Sequence, residues 1–200
     1  MRIITAPPDL LFEPIRHEYR MQGQVIPSVT QVLEGLHRFD MVPDAVLQAA
    51  QQRGTDVHLA CQYLDEGDLD EEALPDSIAG YVEGWRAFLT DYRPRFAGIE
   101  TRVFHPRLRY AGTADRFAAI AGEPWVIDIK TAKHAHPVWG LQTAAYAHAA
   151  GLPEAKRATV RLRPGGYSFD PWSDRSDWPT FASALTLRTW LSTHNPKGGH

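Results

Sequence analysis

The sequence predicts a single α/β domain in which helices pack on a central β-sheet. Three observations lead to this prediction. Apolar residues of 76–92 recur at helical spacing, strand-like alternation begins after Gly98, and the β-branched stretch 125–131 indicates an interior strand. With 200 residues and 44% hydrophobic content, the chain is long enough to bury one full core. We expect one domain over residues 1–200, with its core at about 17–192.

Composition excludes several classes of protein. The net charge of −3 gives no global electrostatic case for nucleic acid, so any DNA contact must come from a local patch. The single cysteine, Cys61, excludes an intramolecular disulfide framework and a four-cysteine iron–sulfur cluster within this chain. No apolar run approaches the length of a membrane span, and no secretory signal is recognisable. The expected compartment is therefore the cytoplasm.

The first quarter of the chain predicts a short hairpin followed by helices. Residues 1–27 form the hairpin, and Ser28 or Thr30 caps the first helix; these hydroxyls either only cap it or also hold a phosphate. A helix over 44–52 is expected to break at Gly54, and Thr55 would cap a second helix that runs to Gly67. His58 would then lie in a first helical turn, where the helix dipole favours neutral imidazole. That histidine is either a metal ligand or a packed residue.

The middle of the chain predicts a helix and then a sheet. Residues 65–72 indicate a solvated acidic loop, and residues 76–92 an amphipathic helix whose aromatic stripe either packs in the core or stacks on bases. Strands follow at 99–104 and after 110, and a turn at 122–124 leads into the central strand. This spacing predicts an antiparallel meander. If its strands pair as neighbours, Asp115 and Asp128 converge.

The central strand carries the most informative pattern. Alternation places Asp128 and Lys130 on one face and Ile127 and Ile129 on the other. A carboxylate and an ammonium together suit phosphodiester hydrolysis, which needs a ligand for a hard cation and a positive group beside the attacking water. The alternative is an ordinary ion pair on a solvated strand face.

The last third of the chain completes the predicted sheet. An alanine-rich helix at 136–150 places Gln142 and Tyr146 on one face, where an amide and a phenol can hydrogen-bond phosphate oxygens without reading sequence. Two strands at 157–163 and 166–170 follow, with Arg161 and Arg163 as phosphate contacts. A final helix is expected at about 175–192. Residues 195–200 are expected to be a disordered tail.

Five motifs occur in a fixed order along the chain. They are R-G-T-x-x-H ending at His58, Glu100 on a strand, A-G-T-x-D ending at Asp115, D-I-K-T beginning at Asp128, and Q-x-x-x-Y ending at Tyr146. This order resembles the PD-(D/E)XK nuclease superfamily, and within it the RecB-like, Cas4-like exonuclease branch. The P-S-V-T segment at 27–30 also resembles the opening of mitochondrial genome maintenance exonucleases and related phage proteins. The resemblance covers about residues 17–169.

The resemblance implies a restriction-endonuclease-like core, with a central mixed β-sheet flanked by helices. It implies that His58, Asp115, Asp128 and the backbone carbonyl of Ile129 bind a metal ion, while Lys130 orients or deprotonates the attacking water. Glu100 would support the site, through a second metal or by holding Lys130. The residues expected to contact DNA are Gln142, Tyr146, Ser28, Thr30, Arg53 and Thr131. The lone cysteine departs from the family members that carry an iron–sulfur cluster.

The sequence therefore predicts a DNA exonuclease that requires one or two Mg²⁺ or Mn²⁺ ions and acts on single-stranded ends. The expected setting is phage or bacterial recombination, repair or replication, with proteins of those processes as partners and no membrane. An endonuclease or flap nuclease of the same fold is one alternative. Another is a nucleic-acid-binding protein without activity. The protonation state of Lys130 stays open, because burial and neighbouring carboxylates act on a lysine in opposite directions.

Overall fold

The structure is a computed structural model that describes residues 2–36 and 44–194. Two β-sheets and five α-helices make up this part of the chain. The small sheet contains β1 (Leu10–Glu13), β2 (Glu18–Met21) and β3 (Gln24–Ile26), all antiparallel. The predicted N-terminal hairpin is therefore one strand short, because the proline-rich start contributes β1. The expected disordered tail at 195–200 lies outside the described residues.

The large sheet has five strands in the order β4-β5-β6-β7-β8. Its members are β4 (Arg95–His105), β5 (Tyr110–Ile120), β6 (Glu123–Lys130), β7 (Lys156–Arg163) and β8 (Gly166–Trp172). The pairs β4–β5 and β5–β6 are antiparallel, which confirms the predicted meander. Only β6 and β7 run parallel, so the sheet is mixed and β6 is its central strand.

Helices cover both faces of the large sheet. They are α1 (Val29–Leu33), α2 (Asp44–Glu66), α3 (Asp76–Tyr92), α4 (Val138–Ala149) and α5 (Asp177–His194), with a 3₁₀ turn at Glu34–Leu36. Residues of α1, α4 and α5 pack with Phe117 and Val126 on one face. Residues of α2 and α3 pack with Ile127 and Ile129 on the other. The protein thus has the predicted α/β class, with a mixed sheet flanked by helices.

The predicted helix break at Gly54 is wrong. Residues 44–66 form one continuous helix, and Gly54 lies inside it. A glycine in a helix interior costs about 1 kcal/mol relative to alanine, so packing overrides its low propensity here. The prediction of an acidic loop from residue 65 is also wrong at its start, because Asp65 belongs to α2 and its side chain is fully buried.

The predicted amphipathic helix at 76–92 is confirmed as α3. Trp85 and Phe88 are fully buried and stack on each other with ring centroids 4.9 Å apart. These two side chains belong to the core, so they do not stack on bases. Among the described residues, no helix is both long and apolar enough to cross a membrane.

Two glycines give opposite expectations for substitution by alanine. A Cβ at Gly84 would overlap the carbonyl oxygen of Gly166 and lie 3.1 Å from the carbonyl oxygen of Arg163, where α3 packs on the β7–β8 hairpin. A Cβ at Gly54 would meet only the Thr131 hydroxyl, at 3.7 Å. We expect Gly84→Ala to destabilise the protein by about 1–3 kcal/mol through overpacking. We expect Gly54→Ala to stabilise it by up to about 1 kcal/mol through helix propensity.

Urea unfolding of the two variants and the wild type measures both changes. The substitutions are chemically identical, so Gly54→Ala is the matched control for Gly84→Ala. Equal effects of the two substitutions would contradict the close approach of α3 to the β7–β8 hairpin.

Candidate metal centre

Two strands and one helix bring a group of possible metal ligands together. Glu100 comes from β4, Asp115 from β5 and His58 from α2, and one ligand atom of each lies within 4.8 Å of the other two. Carboxylate and imidazole groups are ligands for divalent cations such as Mg²⁺, Mn²⁺ and Zn²⁺. We call these three residues the acidic cluster. Sequence reasoning gave Glu100 only a supporting role, whereas the structure places it inside the cluster.

Asp115 is held by the end of the neighbouring strand. The β5–β6 pairing ends at Arg116 and Ile127, and the next free backbone N–H, that of Ile129, donates to Asp115 Oδ2 at 2.6 Å. Strand alternation turns Asp115 to one face of the sheet and the adjacent Arg116 to the other. The Asp115 side chain is therefore buried and fixed, as a metal ligand must be.

His58 is oriented by the backbone of β6. Its Nε2 lies 2.9 Å from the carbonyl oxygen of Ile129, and its Nδ1 lies 3.4 Å from Asp115 Oδ2. Because a carbonyl oxygen only accepts, Nε2 carries the proton, and in neutral imidazole Nδ1 then keeps a free lone pair. In that neutral form a lone pair would face a carboxylate oxygen at this point, and a cation between them would satisfy both. A histidine that donates its other ring N–H to a carbonyl is typical of metal ligands.

The helix-dipole argument for His58 is wrong. His58 lies well inside the continuous helix α2, and the effect of a helix terminus falls off within its first turn. The hydrogen bond to Ile129 fixes the imidazole instead. The Ile129 carbonyl, which the resemblance implies as a metal ligand, thus already accepts from His58.

Asp128 and Lys130 share one face of β6, as the alternation predicts. Asp128 is almost fully buried, and Lys130 Nζ lies 2.5 Å from Asp128 Oδ2. This close charge contact lacks the geometry of a directed hydrogen bond, since Asp128 Oδ2 has no hydrogen-bond donor among the described residues. Lys130 also lies over the ring of Trp139, 5.7 Å from its centroid. Asp128 is not a member of the acidic cluster, but its charge interacts with Glu100, Asp115 and His58, and it pairs with the lysine.

Burial and mutual repulsion raise the pKa values of two carboxyl groups here. Burial, followed by the charge of Asp115, raises the pKa of Glu100 to about 8, although Arg116 opposes the shift. Burial raises the pKa of Asp128 to about 6, with Lys130 lowering it and Asp115 raising it. Carboxylates crowded in this way repel each other until a cation joins them. The electrostatics therefore favour a bound positive charge.

A buried ion network that sequence reasoning missed supports the cluster from behind. Arg116 is fully buried and donates to Asp65 Oδ2 at 2.6 Å, to Glu100 Oε1 at 2.9 Å and to the carbonyl oxygen of Asp115 at 2.7 Å. The indole N–H of Trp85 donates to the other oxygen of Asp65 at 2.9 Å. Glu100 itself adopts a left-handed backbone conformation, with φ of 43°, which is uncommon outside glycine. The network thus fixes the position of Glu100.

The structure gives the predicted DNA-contacting residues different surroundings. Gln142 and Tyr146 share a face of α4, and the amide of Gln142 donates to the Tyr146 hydroxyl at 3.0 Å. Tyr146 is buried, and burial followed by the charge of Asp128 raises the pKa of its phenol. Gln142 lines a cavity of about 460 Å³ together with Thr30. Tyr146 is therefore buried near Asp128 and Asp115, and of this pair only Gln142 lines the cavity.

Ser28 acts as a helix cap. Its hydroxyl accepts from the backbone N–H of Gln31 at 3.0 Å, and the Gln31 side chain accepts from the Ser28 N–H in return. The Thr30 hydroxyl lies 3.0 Å from that of Ser28. The Gln31 N–H is therefore taken by the cap. Arg53 and Thr131 lie in a separate pocket next to the end of β6.

A pH dependence of stability follows from the two raised pKa values. Glu100 and Asp128 have ordinary values of 4.5 and 3.8, so the folded protein holds more protons than the unfolded chain up to about pH 8. Their contribution to the free energy of unfolding therefore falls as pH rises through this window. In EDTA, we expect the melting temperature of the wild type to fall relative to that of Glu100→Gln between about pH 5 and about pH 8.5.

Added Mn²⁺ should reverse this trend. The ion binds deprotonated carboxylates, so the rise in melting temperature that it causes should be larger at about pH 8 than at about pH 6. Glu100→Gln is the control, because it removes the group with the higher pKa. A Mn²⁺ effect that is independent of pH, or absent, would argue against a cation at the acidic cluster.

Comparisons with known proteins add little to this picture. No protein-family model matches the chain, and no curated protein matches it. The chain is similar to a solved structure described as "Crystal structure of SSO0001", with 17% identity over 82% of this chain and 84% of that one and a TM-score of 0.38. The fold and the site thus define an α/β protein with a candidate metal centre.

Proposed function

We propose that this protein is a divalent-metal-dependent nuclease that hydrolyses phosphodiester bonds in DNA. The observation that carries the proposal is the acidic cluster of His58, Glu100 and Asp115, together with the Asp128–Lys130 pair on the central strand. The donor set fits a divalent cation, because two carboxyl groups and an imidazole nitrogen face one another in a half-buried position. The order of the motifs in the sequence supports the same assignment by resemblance.

Each residue of the site has a separate role in the proposed hydrolysis. A bound Mg²⁺ or Mn²⁺ would lower the pKa of water and neutralise charge that develops on the phosphate. Asp115, Glu100 and His58 would hold the cation. Lys130 is paired with Asp128 and would orient the attacking water or contact a phosphate oxygen. Its side chain is about one-fifth exposed, so it is accessible to a substrate.

Action on single-stranded DNA ends is the part of the proposal that follows from the resemblance alone. Incubation with end-labelled linear and circular single-stranded DNA in Mn²⁺ tests it. We expect loss of the linear substrate only, and no loss with Asp128→Ala or in EDTA. Cutting of circles would instead identify an endonuclease of the same fold. Metal-independent binding without cutting would identify a nucleic-acid-binding protein and overturn the proposal.

A further inference from the structure

A basic pocket opens beside the acidic cluster. It has a volume of about 390 Å³ and lies between α2, α3, the segment after β6 and the β7–β8 hairpin. We call it the arginine pocket, and it is lined chiefly by Arg53, Tyr81, Thr131, Lys133, Arg161 and Arg163. Every charged side chain in its lining is cationic, in a protein whose net charge is −3. This local patch has the sign that an anionic ligand requires.

One of these cations is used to build the pocket. The Arg161 guanidinium pairs with Asp170, with Nε 2.5 Å from Oδ2 and Nη2 3.1 Å from Oδ1. Its Nη1 donates to the carbonyl oxygen of Lys133 at 2.7 Å. Asp170 therefore neutralises the charge of Arg161, and the hydrogen bond from Arg161 to the Lys133 carbonyl holds the segment that follows β6.

The charges of Arg53, Lys133 and Arg163 remain available to a ligand. Among the described residues, no carboxylate pairs with Arg53, Lys133 or Arg163 at ion-pair distance. Arg163 donates to the Ser168 hydroxyl at 3.0 Å, and Arg53 lies over the ring of Tyr81 at 5.9 Å. The buried Nε of Arg53 has no hydrogen-bond partner in the described part of the chain. An arginine donor left unpaired in this way is costly unless a ligand satisfies it.

The position of the pocket ties it to the acidic cluster. Thr131 directly follows Lys130, and Arg161 is the partner of Lys130 in the parallel pairing of β6 and β7. Thr131 is two residues beyond Ile129, whose carbonyl oxygen accepts from His58 of the cluster, which corresponds to about 7 Å along an extended chain. Arg53 and His58 are five residues apart on α2, or about 7.5 Å along the helix axis. A strand with one phosphate at the cluster therefore brings neighbouring phosphates to the pocket.

We propose that the arginine pocket binds the phosphate of a nucleotide adjacent to the bond that is cleaved. The inference rests on the proposed nuclease function and adds where the strand runs beyond the metal centre. Arginine and lysine bind phosphate by charge and hydrogen bonds, without regard to base identity. Hydroxyl groups of Thr131 and Ser168 line the same pocket and can donate to phosphate oxygens. The volume suits a single nucleotide.

Binding measured without divalent ions tests this proposal separately from hydrolysis. The probe is a 3′-fluorescein-labelled single-stranded DNA of mixed sequence in EDTA, titrated at several salt concentrations and followed by anisotropy. The variant is Lys133→Gln/Arg163→Gln, because both side chains are mostly exposed and their replacement leaves the core intact. Arg107→Gln/Arg109→Gln removes two charges from the exposed β4–β5 turn and is the matched control.

We expect the pocket variant to bind at least about tenfold more weakly. The slope of log K against log salt should become shallower by about 1.4, because each contact to a single strand contributes about 0.7. In Mn²⁺ the same variant should raise KM more than it lowers kcat. If the variant has the same affinity and the same salt slope as the wild type, the phosphate-binding role of the pocket is overturned, even if the wild type cleaves DNA. Weakened binding by the variant in a protein that cleaves nothing would overturn the nuclease and keep the pocket.

Discussion

Asp115→Asn is expected to abolish metal-dependent cleavage while leaving the protein folded. Asparagine has the shape of aspartate, and its amide oxygen can still accept from the Ile129 N–H. It lacks the negative charge that the cation requires. A bound metal contributes several kcal/mol of transition-state stabilisation, which corresponds to a loss of roughly 10³-fold in rate. Initial rates on single-stranded DNA in saturating Mn²⁺ measure this loss.

The same substitution should act in the opposite direction on stability. The charge of Asp115 raises the pKa of both Glu100 and Asp128, so its removal relieves repulsion in the metal-free protein. In EDTA near neutral pH, Asp115→Asn should therefore be at least as stable as the wild type. Asp91→Asn is the control, because Asp91 accepts from the Tyr167 hydroxyl away from the cluster. Cleavage by Asp115→Asn within about twofold of wild type would contradict the proposed role; that factor corresponds to less than about 0.5 kcal/mol.

Arg116→Met is expected to produce the largest loss of stability. Methionine can fill much of the space between Trp85 and Phe96, over which the guanidinium lies at 5.7 and 5.9 Å from the ring centroids. It leaves Asp65 buried without its cation and Glu100 without its nearest one. Removal of one partner from a buried ion pair costs about 3–5 kcal/mol. Urea unfolding at neutral pH measures the change in the free energy of unfolding.

Two comparisons separate this loss from a general effect of losing an arginine. Arg86→Met removes a guanidinium that pairs with Glu71 and Glu83 at the surface, and should cost about 1 kcal/mol or less. The double variant Asp65→Asn/Arg116→Met removes both charges of a pair whose two side chains are fully buried, so it should be less destabilised than the sum of its single substitutions. Equal losses for Arg86→Met and Arg116→Met would show that the network adds nothing to stability.

Local patterns were sufficient to predict the part of the site on β6. The positions of Asp128, Lys130, Ile127 and Ile129 follow from the two-residue period of a strand, which needs no knowledge of the rest of the fold. The antiparallel meander follows from the short connections between its strands. The α/β class, the helix α3 and the central place of β6 were also predictable, because they follow from the hydrophobic period and the composition of single segments.

Long-range packing decides the remainder. The course of α2 through Gly54 depends on tertiary contacts, which outweigh the low helix propensity of glycine. The partner of Arg116 is 51 positions away in the sequence, so no local period identifies Asp65. The dipeptide Asp115-Arg116 did contain a usable signal, because alternation in a buried strand turns the arginine into the core, where it must find a carboxylate. Glu100 has a left-handed backbone conformation inside β4, which the alternation of a regular strand does not predict.

The unbroken helix α2 sets the spacing between three parts of the molecule. His58 and Asp65 are seven residues apart, nearly two full turns, so they lie on the same side of the helix about 10.5 Å from each other. Arg53 lies on the same helix and lines the arginine pocket. One inserted residue between 58 and 65 would rotate one of these side chains by about 100° relative to the other. His58 could then not keep its contact with the Ile129 carbonyl while Asp65 keeps its pair with Arg116. The number of residues between these two positions of α2 is therefore fixed by the contacts at both of them.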